Sequence, residues 1–260
     1  MSKTYLDGII SAHRERAASD ARVWQERIES LQYNGPSMAT TLRNNVTSVS
    51  VIAEFKRRSP SKGDLNAHMD AASFGQMYER SGATAISVLT DEEFFGGSKQ
   101  DLLTVRSSTN LPVLRKDFTV CENDVLDCAE MGASTVLLIA AALSQGEMQS
   151  LFAVAKACNV DALFEVHDEI EAAMVLDLGA ELVGINQRDL FTFAVDANHA
   201  ERVVAALPSS VIKVCESGLR NVADVERARD AGFDAVLVGE SFVTAESPEM
   251  TVREFASVLK

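Results

Sequence analysis

Eight short apolar runs follow one another at a regular spacing, and this rhythm constrains the fold more than any other feature. Each run is rich in β-branched residues and is bounded by Gly, Pro, Asn or Asp. Run starts recur every ~20 to 35 residues, the length of one βα unit, and helical patterns fill the intervals. The predicted strands are residues 49–56, 83–90, 111–118, 134–140, 161–166, 182–187, 210–217 and 235–240.

The connections indicate a closed parallel sheet. A Gly-Ala pair precedes the second, fourth and sixth strands, and Gly232-Phe233 precedes the eighth. A glycine there ends the preceding helix in the left-handed conformation. Most strands are apolar on both faces, as in a parallel sheet covered by helices. Eight units in about 210 residues favour a (β/α)8 TIM barrel over an open doubly wound sheet. The sequence also lacks the Gly-x-Gly-x-x-Gly turn of doubly wound nucleotide-binding folds.

Residues 1–48 precede the first predicted strand and are expected to form an N-terminal helical extension of one domain, 1–260, whose barrel spans 49–260. Two interpretations stay open: the extension covers the barrel bottom or pads its side, or it folds over the barrel mouth and helps to enclose a substrate. Its apolar residues fall at roughly helical spacing before Asn34-Gly35-Pro36. They are Tyr5, Ile9, Ile10, Val23, Trp24, Ile28 and Leu31.

Composition narrows the function classes. The net charge of −14 makes nucleic acids and anionic membranes poor partners, so an anionic substrate needs a local basic pocket. No run is long enough for a spanning helix and the first residues lack the apolar stretch of a signal peptide, so we expect a cytoplasmic protein. The cysteines and histidines form no pattern with metal-ligand spacing, and we interpret them as reduced thiols and as surface or packing histidines. They are Cys121, Cys128, Cys158, Cys215, His13, His68, His167 and His199.

Charged residues gather at the strand ends, where a TIM barrel keeps its chemistry. Glu54 and Lys56 lie two apart on one face of the first strand. The third strand ends in Arg115-Lys116-Asp117-Phe118, and Glu165, Asn186 and Glu216 end the fifth, sixth and seventh. Two lysines and three carboxylates are thereby predicted to share one opening.

These residue types suit proton transfer. A lysine surrounded by carboxylates can donate a proton. Because Leu163 and Phe164 precede Glu165, we also expect an apolar wall that raises the pKa of this carboxyl towards working pH.

Two small-residue turns predict a phosphate site. Glu216-Ser217-Gly218 and Val238-Gly239-Glu240-Ser241 follow the seventh and eighth strands, the usual phosphate position of these barrels. We expect Gly218 and Gly239 to leave space for the anion. The loop after the first strand, 56–63, carries four basic residues and is either a solvated loop or an anion-gathering loop at the mouth.

Taken in order, these motifs resemble the indole-3-glycerol-phosphate synthase family over essentially the whole chain. Related phosphosugar barrels share the two phosphate turns but not the sequence motifs of the first and third strands. The motifs are IAEFKRRSPS at 52–61, FFGGS at 94–98, PVLRKDF at 112–118, FEVH at 164–167, GINQRDL at 184–190, ESG at 216–218 and VGES at 238–241.

The resemblance implies a reaction. The family's substrate, 1-(2-carboxyphenylamino)-1-deoxyribulose 5-phosphate, loses carbon dioxide and water as the pyrrole ring closes, without cofactor or metal. Lys116 then resembles the general acid, Glu165 its partner in later proton transfers, and Lys56 the lysine that holds the substrate carboxylate and serves as a candidate second acid. Glu54 and Asn186 would orient these groups and the sugar hydroxyls.

The resemblance also implies the residues that bind the substrate. Phe95, Phe118, Leu137 and Leu237 would form apolar walls around the aromatic ring. The resemblance places Ser59, Arg188 and Glu216 in the substrate site, and assigns the phosphate to Ser217, Gly218, Gly239 and Glu240. We expect a monomer with a small anionic phosphosugar substrate and no nucleic-acid or membrane partner, leaving open a weak association with other tryptophan-pathway enzymes.

Departures from the family pattern are modest. Gln187 stands where asparagine is frequent, and the loop 119–124 is unusual. These two departures bear on the closure of the site over the substrate and on turnover, and they remove none of the charged candidate residues. A specialised second copy that serves another indole-using pathway would look the same.

Three rivals stay open at this level. A phosphosugar isomerase of the same barrel superfamily would use an Asp or Cys acid/base pair on strands one and seven. Glu54 and Glu216 lie near those places, but Lys56 and Lys116 would have no task. An aldolase would use Lys116 or Lys213 as a Schiff-base nucleophile. A degenerate barrel would only dock a partner enzyme.

Overall fold

Parallel strands close into a barrel, as predicted. The computed structural model describes residues 5–59, 62–66, 69–188 and 195–260. Each barrel strand pairs with its neighbour in the chain, and the last pairs with the first, with Ser50 beside Ala235. Every predicted run contains one strand. The strands are β1 Ser50–Phe55, β2 Ala85–Leu89, β3 Val113–Lys116, β4 Thr135–Ile139, β5 Asp161–Val166, β6 Leu182–Asn186, β7 Ile212–Glu216 and β8 Ala235–Val238.

Helices surround the barrel, and side-chain caps start several of them. Asp70, Ser144 and Asp168 each accept a backbone N–H in the first turn of the helix that follows. The helices are α1 Tyr5–Ala18, α2 Trp24–Ile28, α3 Met38–Asn44, α4 Ala71–Arg80, α5 Lys99–Ser108, α6 Glu122–Glu130, α7 Gln145–Ala157, α8 Glu169–Asp177, α9 Ala197–Ala206, α10 Val222–Asp230, α11 Glu240–Val243 and α12 Pro248–Ala256. Among the described helices, we find none with the length and apolar character of a membrane span.

Two short elements add to this frame. Residues Ala140–Ala142 form a 3₁₀ turn after β4. In the loop after β1, Arg58–Ser59 pairs with Gly63–Asp64 as a small antiparallel hairpin that the sequence pattern did not predict. Pro60 and Ser61 of the first-strand motif lie outside the described residues, as do His68, Asp189 and Leu190.

The glycines before alternate strands adopt the predicted conformation. Gly82, Gly132, Gly179 and Gly232 have φ values of 92°, 72°, 81° and 96°. This left-handed region is open to glycine at little cost, so each residue ends a helix and turns the chain into the next strand.

The barrel interior is filled by side chains from alternate strands. Ile52, Leu114, Leu163 and Val214, from β1, β3, β5 and β7, are buried in one apolar cluster. Such layers of four are the usual filling of a TIM barrel. Two residues further along the same four strands come Glu54, Lys116, Glu165 and Glu216. The charged layer therefore rests directly on an apolar one.

The helices of the N-terminal extension lie at both ends of the barrel, and a part in enclosing a substrate stays a prediction. Met38 and Leu42 of α3 are buried against inward residues from the amino ends of the strands. Asp161, the first residue of β5, accepts hydrogen bonds from the Ala39 N–H at 3.0 Å and the Ser37 hydroxyl at 2.9 Å. Helix α3 thus closes the barrel bottom, whereas α1 reaches the opposite end.

Candidate active site

A cavity of about 250 Å³ opens at the carboxyl ends of the strands. Every residue that the sequence analysis proposed for the site lines it. These are Glu54, Lys56, Ser59, Phe95, Lys116, Phe118, Leu137, Glu165, Asn186, Arg188, Glu216, Ser217, Gly218, Leu237, Gly239 and Glu240.

Lys116 is the centre of the charged layer. Its ammonium donates to Glu165 Oε2 at 2.6 Å and to Glu216 Oε2 at 3.1 Å. Burial alone would lower the pKa of Lys116, but the charges of Glu165, Glu216 and Glu54 outweigh burial and raise it. The lysine therefore carries its proton throughout the working pH range.

The expectation of a raised pKa for Glu165 is wrong. Burial does push the pKa upward, as the apolar neighbours indicated, but Lys116 and His167 act against burial. Together with hydrogen bonds from Lys116 and Asn186, they lower the pKa of Glu165 to about 2. The Asn186 amide donates to Glu165 Oε1 at 3.1 Å. The positive charge that lowers this pKa most belongs to Lys116 on β3. Because Glu165 lies on β5, the sequence around it does not reveal this charge.

The carboxyl with a raised pKa is that of Glu216 instead. Burial raises its pKa, and the nearby charges of Glu165 and Glu54 add to burial and exceed the opposing effect of Lys116, so the pKa reaches about 7. Its Oε1 is buried and has no hydrogen-bond partner among the described residues. Gly184 on β6 makes room for this oxygen, since an added Cβ would overlap it. A glycine within a strand is the sequence feature that could have revealed this close approach.

Glu54 of β1 and Lys56, directly after this strand, form a second ion pair. An added Cβ on Gly239 would overlap Glu54 Oε1, and one on Gly218 would overlap Val195. Each of these two glycines therefore makes room for a protein side chain, and their expected part in anion binding stays a prediction. A valine at 239 would displace Glu54 and could not report on anion binding alone.

The turns after β7 and β8 meet at one side of the cavity. Ser217 and Gly218 have φ values of 68° and 75°, and the Ser241 hydroxyl donates to the Leu219 carbonyl at 2.5 Å. Lys62, from the loop after β1, forms an ion pair with Glu240 across this side. A cation and two small-residue turns thus lie together, as an anion site requires.

The basic loop divides between two tasks. Lys56 and Lys62 line the cavity. Arg57 instead pairs with Asp101 and lies 4.9 Å from the Phe55 ring centroid, and Arg58 donates to the Glu93 carbonyl. Two of the four basic residues of this loop therefore line the cavity, while the two arginines are held by other parts of the barrel.

Aromatic side chains form an apolar wall beside the charged layer. The ring centroids of Phe95 and Phe118 lie 5.9 Å apart. Asp91 Oδ1 accepts the backbone N–H groups of Phe94 at 2.6 Å and Phe95 at 3.2 Å. The wall is thereby fixed to the end of β2.

Helix α1 covers this wall, and the sequence pattern singled out Tyr5 and Ile9 but not Leu6. Tyr5, Leu6 and Ile9 line the cavity. His13 Nε2 lies 2.9 Å from Asp91 Oδ2, and its ring centroid lies 5.3 Å from that of Phe118. The partners are 78 residues apart in the chain, so no local motif announces the contact.

The same contact creates a group with metal-ligand chemistry. The ligand atoms of His13, Asp91 and Asp117 lie within 4.8 Å of one another. Hydrogen bonds already engage them, however, since Arg115 donates to Asp117 at 2.8 Å and Arg16 lies 3.5 Å from Asp91. Because two arginines lie next to the carboxylates, this group is better explained as a buried polar contact between α1 and the barrel than as a cation site.

Fold and cavity together define a TIM-barrel enzyme with a charged site at the carboxyl ends of its strands. The chain matches the sequence profile described as indole-3-glycerol phosphate synthase over residues 6–255. It belongs to the indole-3-glycerol phosphate synthase family.

Curated relatives agree with this membership. The chain is 43% identical over 254 residues to an indole-3-glycerol phosphate synthase of Parafrankia sp., covering 97% of this chain and 93% of the relative. It is 46% identical over 209 residues to indole-3-glycerol phosphate synthase 1 of Streptomyces coelicolor, covering 80% and 78% of the two chains. A solved structure of a 3-hexulose-6-phosphate synthase superposes with a TM-score of 0.64 at 15% identity over 80% of this chain and 98% of that chain, which supports the fold alone.

Glu216 should make stability depend on pH. Between its ordinary pKa and about 7, the folded protein holds a proton that the unfolded chain has released, so rising pH destabilises the fold across this window. We expect Glu216→Gln to remove this dependence, so that the variant gains stability relative to the parent from about pH 5 to about pH 8. Urea midpoints at several pH values would measure it, with exposed Glu254→Gln as the control. A difference between parent and variant that stays constant with pH would contradict the assignment.

Proposed function

We propose that this chain converts 1-(2-carboxyphenylamino)-1-deoxyribulose 5-phosphate to indole-3-glycerol phosphate in tryptophan biosynthesis, acting as a carboxy-lyase. The observation that carries the proposal is the Lys116 ammonium, held by two buried carboxylates at the base of a cavity that also has an apolar wall and an anion site. The substrate has matching parts: a reactive carbonyl, an aromatic ring, a carboxylate and a phosphate.

Lys116 is the general acid in this proposal. Ring closure begins when the aromatic carbon that bears the carboxylate attacks the carbonyl, and the carbonyl oxygen becomes an alkoxide. An alkoxide is a much stronger base than an amine, so a lysine with a raised pKa still donates to it readily. Donation occurs only as charge develops, so it stabilises the transition state rather than the bound substrate.

The carboxylates act on the positive charge that follows. The attack leaves a cationic ring until carbon dioxide departs, and ionised Glu165 stabilises this cation. Asn186 holds Glu165 in place through its 3.1 Å hydrogen bond. Glu216, whose pKa of about 7 lies near working pH, accepts and returns a proton during dehydration.

Substrate anions would replace protein carboxylates as partners of the cavity lysines. The substrate carboxylate pairs with Lys56, which Glu54 holds in the free enzyme. The phosphate lies at Ser217, Gly218, Gly239 and Glu240, near Lys62. Ser59 lines the cavity, and its buried hydroxyl has no hydrogen-bond partner among the described residues, so it is available to the substrate. Arg188 supports the mouth.

The rival functions fit the geometry less well. Lys213 alternates with the inward residues Ile212 and Val214 and does not line the cavity, so it cannot serve as a Schiff-base nucleophile there. Lys116 holds its proton too firmly to attack a carbonyl as an amine. An isomerase that used Glu54 and Glu216 would leave the Lys116 ion pairs without a task.

The proposal includes the setting of the enzyme. We place a monomer of one domain in the cytoplasm, working without a metal or cofactor. The proposed chemistry needs only proton transfers and charge stabilisation, which the lysines and carboxylates supply.

One assay tests the proposed function directly. Purified protein and 1-(2-carboxyphenylamino)-1-deoxyribulose 5-phosphate should produce indole-3-glycerol phosphate, followed by its fluorescence, at the same rate with and without exhaustive chelation. Loss of activity on chelation and its return with one added divalent ion would contradict metal independence and would direct attention to His13, Asp91 and Asp117.

Lys116→Met should abolish most turnover while leaving the fold intact. The methionine keeps the length of the chain but cannot donate a proton, so kcat should fall about 10²- to 10⁴-fold. Substrate binding should persist, as measured by titration of the variant. Lys213→Met, an outward lysine of the same barrel, is the matched control and should keep the parent rate. A kcat within threefold of the parent would remove Lys116 from the proposed role.

Lys62→Met should separate phosphate binding from chemistry. If the phosphate contacts are equally strong in the ground and transition states, KM rises while kcat changes little. Inorganic phosphate should inhibit the variant roughly 2- to 10-fold less strongly than the parent, as suits one partly exposed charge. Exposed Lys156→Met controls for the change in net charge. Equal inhibition of Lys62→Met and the parent would place the anion elsewhere.

A further inference from the structure

The proposed reaction consumes one proton from solvent in every turnover. The carbonyl oxygen takes one proton on ring closure, and the departing hydroxyl takes another to leave as water. The methylene carbon next to the nitrogen gives one proton back when the ring becomes aromatic. The carboxylate leaves as neutral carbon dioxide, which balances the charge. The general acid must therefore be reprotonated by a proton from solvent. This inference rests on the proposed function.

His167 stands where such a proton could enter. It follows Glu165 by two residues and lies beside it at the end of β5. Its Nε2 is buried, lies 3.9 Å from Glu165 Oε1 and has no hydrogen-bond partner among the described residues. Its Nδ1 lies 3.3 Å from Glu171 Oε2, and its backbone N–H donates to the same oxygen at 2.7 Å. Glu171 thus fixes the ring so that the unpartnered nitrogen faces the catalytic carboxylate.

The two outer groups of this row are partly exposed, whereas the carboxylate between His167 and Lys116 is buried. The side chains of Glu171 and His167 are 19% and 18% exposed, whereas that of Glu165 is 4% exposed. Glu165 in turn contacts Lys116 at 2.6 Å. Buried polar atoms are nearly always paired, so an unpaired imidazole nitrogen next to a reacting group calls for a functional explanation.

We propose that His167 relays protons from solvent through Glu165 to Lys116. After Lys116 donates to the substrate, ionised Glu165 takes a proton from the His167 imidazolium and passes it to the neutral Lys116 amine. The neutral imidazole ring then takes a proton from solvent. Each transfer moves one proton, and no other reactant is needed. His167 acts through Glu165 and is a positioning residue, distinct from the catalytic residues.

The electrostatics of Glu165 permit the transfer only when it is needed. The Lys116 charge keeps the pKa of Glu165 low in the resting enzyme. Once Lys116 is neutral, burial dominates and favours the protonated carboxyl. The proton therefore moves inward just after Lys116 has given up its own.

The surroundings of His167 favour its charged form. Glu165 faces it from β5, Glu171 from α8 and Glu216 from β7, while His199 on α9 contacts its carbonyl oxygen at 2.6 Å and is itself bonded by Arg202. Burial lowers the pKa of His167, but the Glu171 hydrogen bond and the carboxylate charges outweigh burial and raise it. The ring stays protonated until the pH exceeds this raised pKa.

His167→Gln tests the relay through kcat. We expect kcat to fall on the order of 10- to 100-fold with KM nearly unchanged, because proton delivery becomes limiting. Added imidazole should restore the rate of this variant, and its solvent isotope effect should exceed that of the parent. His199→Gln, which can still donate to the His167 carbonyl, is the matched control and should keep the parent rate and show no response to imidazole.

Glu171→Gln provides a second measurement if His167→Gln does not fold. Removing this carboxylate lowers the pKa of His167, so the fall in kcat at high pH should begin at a lower pH than in the parent. A kcat for His167→Gln within twofold of the parent would overturn the relay, as would a loss without imidazole rescue. An unmoved pH profile in Glu171→Gln would do the same. A parent enzyme that makes no product would instead refute the proposed function.

Discussion

The buried ion pairs of Lys116 organise the functional end of this barrel. Glu54, Lys116, Glu165 and Glu216 come from alternate strands, so the geometry of the closed sheet itself brings them into one layer. The apolar layer beneath, with Leu114 and Leu163 among its members, excludes water and strengthens every charge above it. The pKa values of Lys116, Glu165 and Glu216 then depend on one another.

This mutual dependence explains why local sequence predicted the positions of the charges and not all of their properties. Alternation along each strand is enough to place Glu54 and Glu165 on the inner face. The pKa of Glu165 depends on Lys116, 49 residues away, and that of Glu216 depends on both. The pattern around Glu165 indicated burial correctly, but it could not show that a cation from β3 would outweigh burial.

Local sequence also could not show where the helices of the N-terminal extension lie or which side chains two of the glycines accommodate. The helical periodicity of residues 1–48 predicted helices, yet the same pattern fits α3 beneath the barrel and α1 over its mouth. Only the long-range contacts, Asp161 with α3 and His13 with Asp91, distinguish the two positions. Gly184 and Gly239 were visible as glycines, but the carboxylates for which they make room belong to other strands.

The charged layer also shows why activity and stability compete in this fold. A core of apolar residues in place of Glu216 and its neighbours would remove the cost of burying charges. The proposed reaction needs those charges, since it moves protons to an oxygen and away from a carbon within one cavity. Glu165, bound by both Lys116 and Asn186, is inexpensive to keep ionised, whereas Glu216 keeps an unpartnered buried oxygen. The destabilisation is thus concentrated on the carboxyl whose pKa near 7 lets it exchange protons with the substrate, and it falls least on Glu165, which is ionised in the resting enzyme.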